Sequence, residues 1–188
     1  MRFRRADRQF QREGQTRAWL RDVVRSGLFS DERIERELRA VIAEDLPHLD
    51  PALGRAWIDE ATLDWERDAL TWPSVTDDDR LRSVFARLEA EGLPVLEGCD
   101  DHWAAQAMLD RLGTDVAGLV WFTPVDVWHA VDEPMLEVNI WSRDGVNQHE
   151  GAPLVTQVID ACAAQGLEAH FDEGRLEIAA RWQRRPGV

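Results

Sequence analysis

The hydrophobic period of this chain changes once, near Leu93, and that change sets the fold class. Before it, apolar residues recur every three or four positions, the spacing of one helix face. After it, short runs of period two alternate with helical stretches. Residues 13–26 bring Trp19, Leu20, Val23 and Val24 to one side, and Gly27 can close that helix. Ser30 reads as an N-cap, with Asp31 and Glu32 in the first turn, where carboxylates complement the helix dipole. Ile34, Leu38, Val41 and Ile42 follow at helical spacing until Pro47. Asp50-Pro51 reads as a cap and a first helical residue. The helix it opens carries Leu53, Trp57, Ala61 and Trp65 and ends before Pro73. Thr76 to Asp79 has the form of a capping box, with aspartate in the place of the usual glutamate or glutamine. Leu81, Val84, Phe85 and Leu88 then form the clearest apolar stripe, closed by Gly92.

Beyond Leu93, residues 93–97 and 118–122 read as strands. Between them residues 101–112 read as a helix with Ala104, Ala107, Met108 and Leu112 inward. Thr123-Pro124 opens a short helix with Val125, Trp128 and Val131 on one face. In residues 135–141, Leu136, Val138 and Ile140 point one way, Glu137 and Asn139 the other. Pro153 starts a helix with Leu154, Val155, Val158, Ile159 and Cys162 aligned, ended by Gly166. Leu167, Ala169 and Phe171 alternate with polar residues, as do Leu176, Ile178, Ala180 and Trp182. Asp172-Glu173-Gly174 between them predicts a β-hairpin. The expectation is an α+β fold: an N-terminal helical segment packed on a roughly five-stranded mixed sheet with a C-terminal β-hairpin. Its parts are a basic arm at 1–12, open to disorder, a helical segment at 13–73 and an α+β domain at 76–185. The last two are compatible with one compact unit.

Composition removes several chemistries. All 22 cationic side chains are arginine, with no lysine and no tyrosine. Lysine-dependent Schiff bases, P-loops and the ATP-pairing lysine of a protein kinase are therefore excluded. The net charge is −14, unevenly spread. Residues 1–28 hold eight arginines and three acids; residues 29–188 hold fourteen and thirty-three. So acidic a body repels phosphate backbones, and no nucleic-acid partner is expected for it. The basic start (Arg2, Arg4, Arg5, Arg8, Arg12, Arg17) has the charge to touch RNA or anionic lipid, but reads more simply as a solvated arm near its own acidic body. No signal peptide follows Met1, and no apolar run approaches the roughly 18 residues of a membrane span. Two cysteines, Cys99 and Cys162, suggest no disulfide framework and fit the cytoplasm.

No GxGxxG, HExxH, GxSxG or CxxC occurs. Cys99-Asp100-Asp101-His102 is the one cluster with ligand-type side chains, set before a helix. Consecutive side chains diverge, however, and two aspartates oppose a thiolate, so a capping Asp100 or Asp101 and a small apolar Cys99 ending a strand account for it more simply. Asp126 and His129 stand three apart on a short helix, the spacing of an Asp–His pair for proton transfer or of a surface ion pair. Asp77-Asp78-Asp79 reads as dipole complementation, not as a metal site. His48, His149 and His170 form no triad. No cofactor and no metal are expected.

Residues 76–185 resemble an uncharacterised bacterial family known only as a domain of unknown function. The resemblance rests on Thr76-Asp77-Asp78-Asp79-Arg80-Leu81, then Val84-Phe85, Leu88 and Gly92-Leu93. It extends to the aromatic strand Val120-Trp121-Phe122 with Asp126 at an aspartate position, to Gly166-Leu167, and to Trp182-Gln183-Arg184-Arg185. The family's cysteine-rich stretch is reduced here to Cys99, and the histidine of its H-x-x-D pattern is Thr123. The resemblance implies a shared fold and no assigned activity.

Three functions stay open. The first is an acidic binding or inhibitory module for a basic protein partner. Its expected face holds Asp64, Glu66 and Asp68, with Trp65 or Trp72 as aromatic anchor. The second is a small hydrolase-like or metal-dependent enzyme using Cys99, His102, Asp126 and His129. The third is a scaffolding domain with no ligand of its own.

Overall fold

In the computed structural model, the backbone is described for residues 2–187 and the side chains for residues 11–187 apart from Pro51. The described residues form α1 (Arg2–Ser26), α2 (Asp31–Asp45), α3 (Pro51–Ala69), α4 (Asp77–Ala90), β1 (Val95–Leu96), α5 (His102–Leu112), β2 (Gly118–Trp121), α6 (Pro124–Asp132), β3 (Leu136–Ser142), α7 (Pro153–Ala164), β4 (Ala169–Asp172) and β5 (Arg175–Ile178). They divide into two compact units. Residues 1–72 with 185–188 make the first, and residues 73–184 the second.

The first unit is three helices, α1 and α2 both packing on α3. Each start follows its local chemistry. The Ser30 hydroxyl accepts from Arg33 N–H, and the Asp50 carboxylate accepts from Ala52 N–H ahead of Pro51. Leu20, Val23 and Val24 on α1, Ile34, Leu38 and Ile42 on α2, and Trp57, Ile58 and Ala61 on α3 are among the unit's buried apolar residues. Two expectations are corrected. The helix drawn from residue 13 begins at Arg2, so its backbone runs through the segment read as an arm. On α3 the inward face is Gly54, Trp57, Ile58 and Ala61, and Leu53 is exposed. Gly54 makes that face possible: a Cβ there would stand 3.1 Å from Ile42 Cδ1.

The second unit is an α+β fold. Its five strands lie in the order β1-β2-β3-β5-β4, with β1 parallel to β2 and every other pairing antiparallel. Leu136, Val138, Ile140, Leu176 and Ile178 are buried on one face. The α4 helix packs on α7 and β1, while α6 and α7 contact β3. Leu81, Val84, Phe85 and Leu88 of α4 are buried, and the Phe85 ring meets Phe122 at 5.8 Å. On the opposite face, α5 closes a smaller cluster of Cys99, Ala105, Leu109, Leu119 and Trp121. The hairpin turn is Glu173-Gly174, both at positive φ (42° and 92°), the conformation a two-residue turn needs to match strand twist. The two short helices sit differently from expectation. Ala105 and Leu109 face inward on α5 while Ala104 is exposed; on α6 Asp126, Val127, Ala130 and Val131 are buried while Val125 is exposed.

Candidate functional site

The backbone N–H of Cys99 donates to Phe122 O at 2.8 Å, which fixes the residue beyond the end of β1. Its thiol turns into the apolar α5 cluster and donates to Asp101 O at 3.0 Å. Burial, with Asp101 and Asp100 nearby, pushes this thiol above its ordinary pKa, the opposite of an activated nucleophile. Asp101 is the N-cap of α5, accepting from Ala104 N–H at 2.8 Å. His102 opens the helix with its ring 4.5 Å from Trp103, out in solvent. The four consecutive side chains thus diverge. Among the described residues no three His, Cys, Asp or Glu side chains gather as metal ligands.

Asp126 stands at the N3 position of α6 and forms a full capping box. Its Oδ2 accepts from Thr123 N–H and Oγ1–H, both at 2.7 Å, while Thr123 Oγ1 accepts from Asp126 N–H. Its Oδ1 faces Arg175 Nη1 at 3.1 Å, and the same nitrogen reaches Glu137 at 2.5 Å. The Asp126 carboxylate is therefore committed to Thr123 and Arg175, while His129 lies exposed on the outer side of α6. Arg175 is 49 residues from Asp126, a pairing no local spacing reveals. It also has a structural reason. The β3–β5 register sets Glu137 directly opposite Glu177, where like charges repel. Arg175 neutralises the first, and His170 sits 3.2 Å from the second.

A second cluster ties the two ends of this unit. Asp78, buried in the first turn of α4, holds Arg82 at 3.0 Å and faces Arg184 at 3.7 Å. Arg184, itself buried, reaches Glu97 at 2.5 Å and lies 4.7 Å over the Trp182 ring. Desolvation raises the Asp78 pKa even against the pull of the two arginines. Both clusters are ion networks that brace the fold, and in the second the buried Asp78 Oδ1 has Arg184 near it at 3.7 Å but accepts no hydrogen bond.

The carboxylates expected to receive a basic partner on α3 are engaged locally. Asp64 pairs with Arg67 at 2.7 Å, and Asp68 pairs with Arg25. Trp65 and Trp72 are half-buried, and Glu66 is exposed. The charge also lies elsewhere. The first unit holds fifteen acids and fourteen arginines, the second twenty-one and eight. On the second unit Trp103 is 71 % exposed, and Asp100 and Asp101 precede it. Asp110, two helical turns on, shares its face of α5. No role for Trp103 is legible in the sequence, since nothing in its local spacing tells an exposed tryptophan from a buried one.

No curated protein and no solved structure matches this chain. Residues 9–186, by contrast, match a family described as a domain of unknown function, DUF6891. The match extends well before residue 76 and takes in both compact units. With nearly the whole length covered, the chain belongs to the DUF6891 family.

Proposed function

We propose that this chain is a protein-binding module that receives a basic protein partner on the α5 surface, with Trp103 as its anchor. The observation that carries the reading is an indole 71 % exposed on the unit that holds the charge excess. Twenty-one acids against eight arginines steer a cationic surface from a distance. Charge gives encounter rate more than affinity, and an exposed tryptophan supplies the apolar contact that affinity needs. Asp100 and Asp101 precede Trp103 in sequence and Asp110 shares its face of α5, so the surface around the indole is acidic even though Asp101 caps the helix and Asp110 accepts from Gln106. If it covers a working surface of that partner, the module is an inhibitor. Two free cysteines, both buried, support a reducing compartment, the cytoplasm. The enzyme reading draws no support from Cys99, His102, Asp126 and His129, which are capping, packed or solvated.

The test replaces Trp103 with a photo-crosslinking phenylalanine in the native host and identifies the trapped protein. A basic protein should be trapped. Its association with the purified chain should slow as salt rises, and Trp103→Ala should weaken binding at least tenfold, within the range of interface hot spots. An acidic partner, or binding indifferent to both salt and Trp103→Ala, overturns the reading.

A further inference from the structure

Between α2 and the start of α3 in the first unit lies an open groove of about 410 Å³. That is within the range of small-molecule sites, about 300–1,000 Å³. Its origin is local. Leu38 and Ile42 form the side given by α2, and α3 faces them with Gly54, where the two helices approach so closely that a Cβ would stand 3.1 Å from Ile42 Cδ1. Ile58 continues the floor, and Leu46, Pro47 and Leu49 close the end where the chain turns between the helices. The lining is thus aliphatic over its length.

The rim is charged, and its charges are not equivalent. Arg55 is held by Glu35 and by Asp59, so its guanidinium is already neutralised. Arg39, on the α2 side, has no hydrogen bond or ion pair among the described residues. An aliphatic trough with one uncompensated cation at its mouth matches one kind of molecule. We propose that this groove binds a medium-chain aliphatic monocarboxylate, its chain against Leu38, Ile42, Leu46 and Ile58 and its carboxylate on Arg39. A guanidinium meets a carboxylate through two parallel N–H···O bonds. An alcohol of the same length leaves that geometry unused, and an ammonium is repelled by it. This site is separate from the α5 surface and does not rest on the partner proposed for it.

The experiment titrates the intact chain with octanoate, octan-1-ol and octylammonium, followed by calorimetry and by NMR shifts of backbone amides. Octanoate should bind with one molecule per chain and shift resonances of residues 38–58. Octanol should bind about tenfold more weakly and octylammonium weaker still, the scale of one solvent-facing charged hydrogen-bonded pair. Arg39→Gln, at an exposed position that bears no packing, should lower octanoate affinity about tenfold and leave octanol unchanged. Ala43→Phe, also exposed, should block the mouth and remove binding of all three. Octanoate without effect on residues 38–58 overturns the proposal. So does equal binding of the three probes, or an Arg39→Gln variant with the octanoate affinity of the parent chain.

Discussion

Asp78 shows how one buried carboxylate can depend on a residue at the far end of its unit. It keeps Arg82 and Arg184 close, yet burial still raises its pKa. A carboxyl whose folded pKa is raised favours the folded state most below its unfolded pKa, about 3.9. That contribution is lost as pH rises through the folded value. Arg184→Gln removes one compensating cation and leaves an ionised Asp78 worse solvated. The second unit should lose about 3–5 kcal/mol near neutral pH, the scale for breaking a buried pair. The deficit should shrink as acid protonates Asp78, so denaturant curves of parent and variant should converge toward pH 4. A deficit constant across that window would mean that Arg184 acts only by packing on Trp182. The thiols make a simpler case. Burial pushes Cys162 up to about 12 and Cys99 in the same direction. At pH 8 neither should react with a disulfide reagent in the native chain, and both should react at once in denaturant. A fast native reaction at either would show a thiol open to solvent.

At the scale of elements, the capped helices were legible from sequence and the short apolar ones were not. Ser30, Asp50, Thr76 and Thr123 all cap as their types require, and Asp79 and Asp126 each complete a capping box. The stripe Leu81, Val84, Phe85, Leu88 is buried as read, because α4 is polar on every other side. Phe85→Ala should therefore cost about 3–5 kcal/mol through lost burial and a cavity, against a typical total of about 5–15 kcal/mol. An unchanged melting temperature would contradict this packing. Thr123→Ala should cost about 1 kcal/mol, the worth of an N-cap. The misread faces have a common cause. On α3, α5 and α6, apolar residues occupy more than one side, so periodicity cannot choose between them. Leu53 and Leu63 remain exposed on α3, as does Leu70 at its C-cap, and it is Gly54 that selects its inward face. The groove was invisible because it is made by two helices and the turn between them, which no local spacing reveals. Likewise Asp126 with Arg175 and Asp78 with Arg184 are brought together by sheet register and chain path, not by spacing.

For the molecule as a whole, charge is unequally shared. The first unit is nearly balanced, while the second has twenty-one acids and eight arginines. Such an excess opposes compaction by self-repulsion. Salt shortens the Debye length from about 30 Å at 0.01 M to about 8 Å at 0.15 M. The melting transition of residues 73–184 should rise over that range, and a transition that fell instead would mean that its ion pairs outweigh the repulsion.

The place of β5 has a consequence for synthesis. It is the last strand to leave the ribosome, yet it lies inside the sheet, between β3 and β4. Until Arg175–Ile178 has emerged, β3 keeps an open edge along Leu136, Glu137 and Val138, and β4 has no neighbour to pair with. Trp182 N–H then donates to Ala130 O, and Arg184 joins Glu97, so closure follows later still. The sheet cannot assemble in the order in which it is translated. A nascent chain of which residues up to Gly174 have emerged and β5 has not would display a bare apolar strand edge, the kind of surface that chaperones shield and that seeds aggregates.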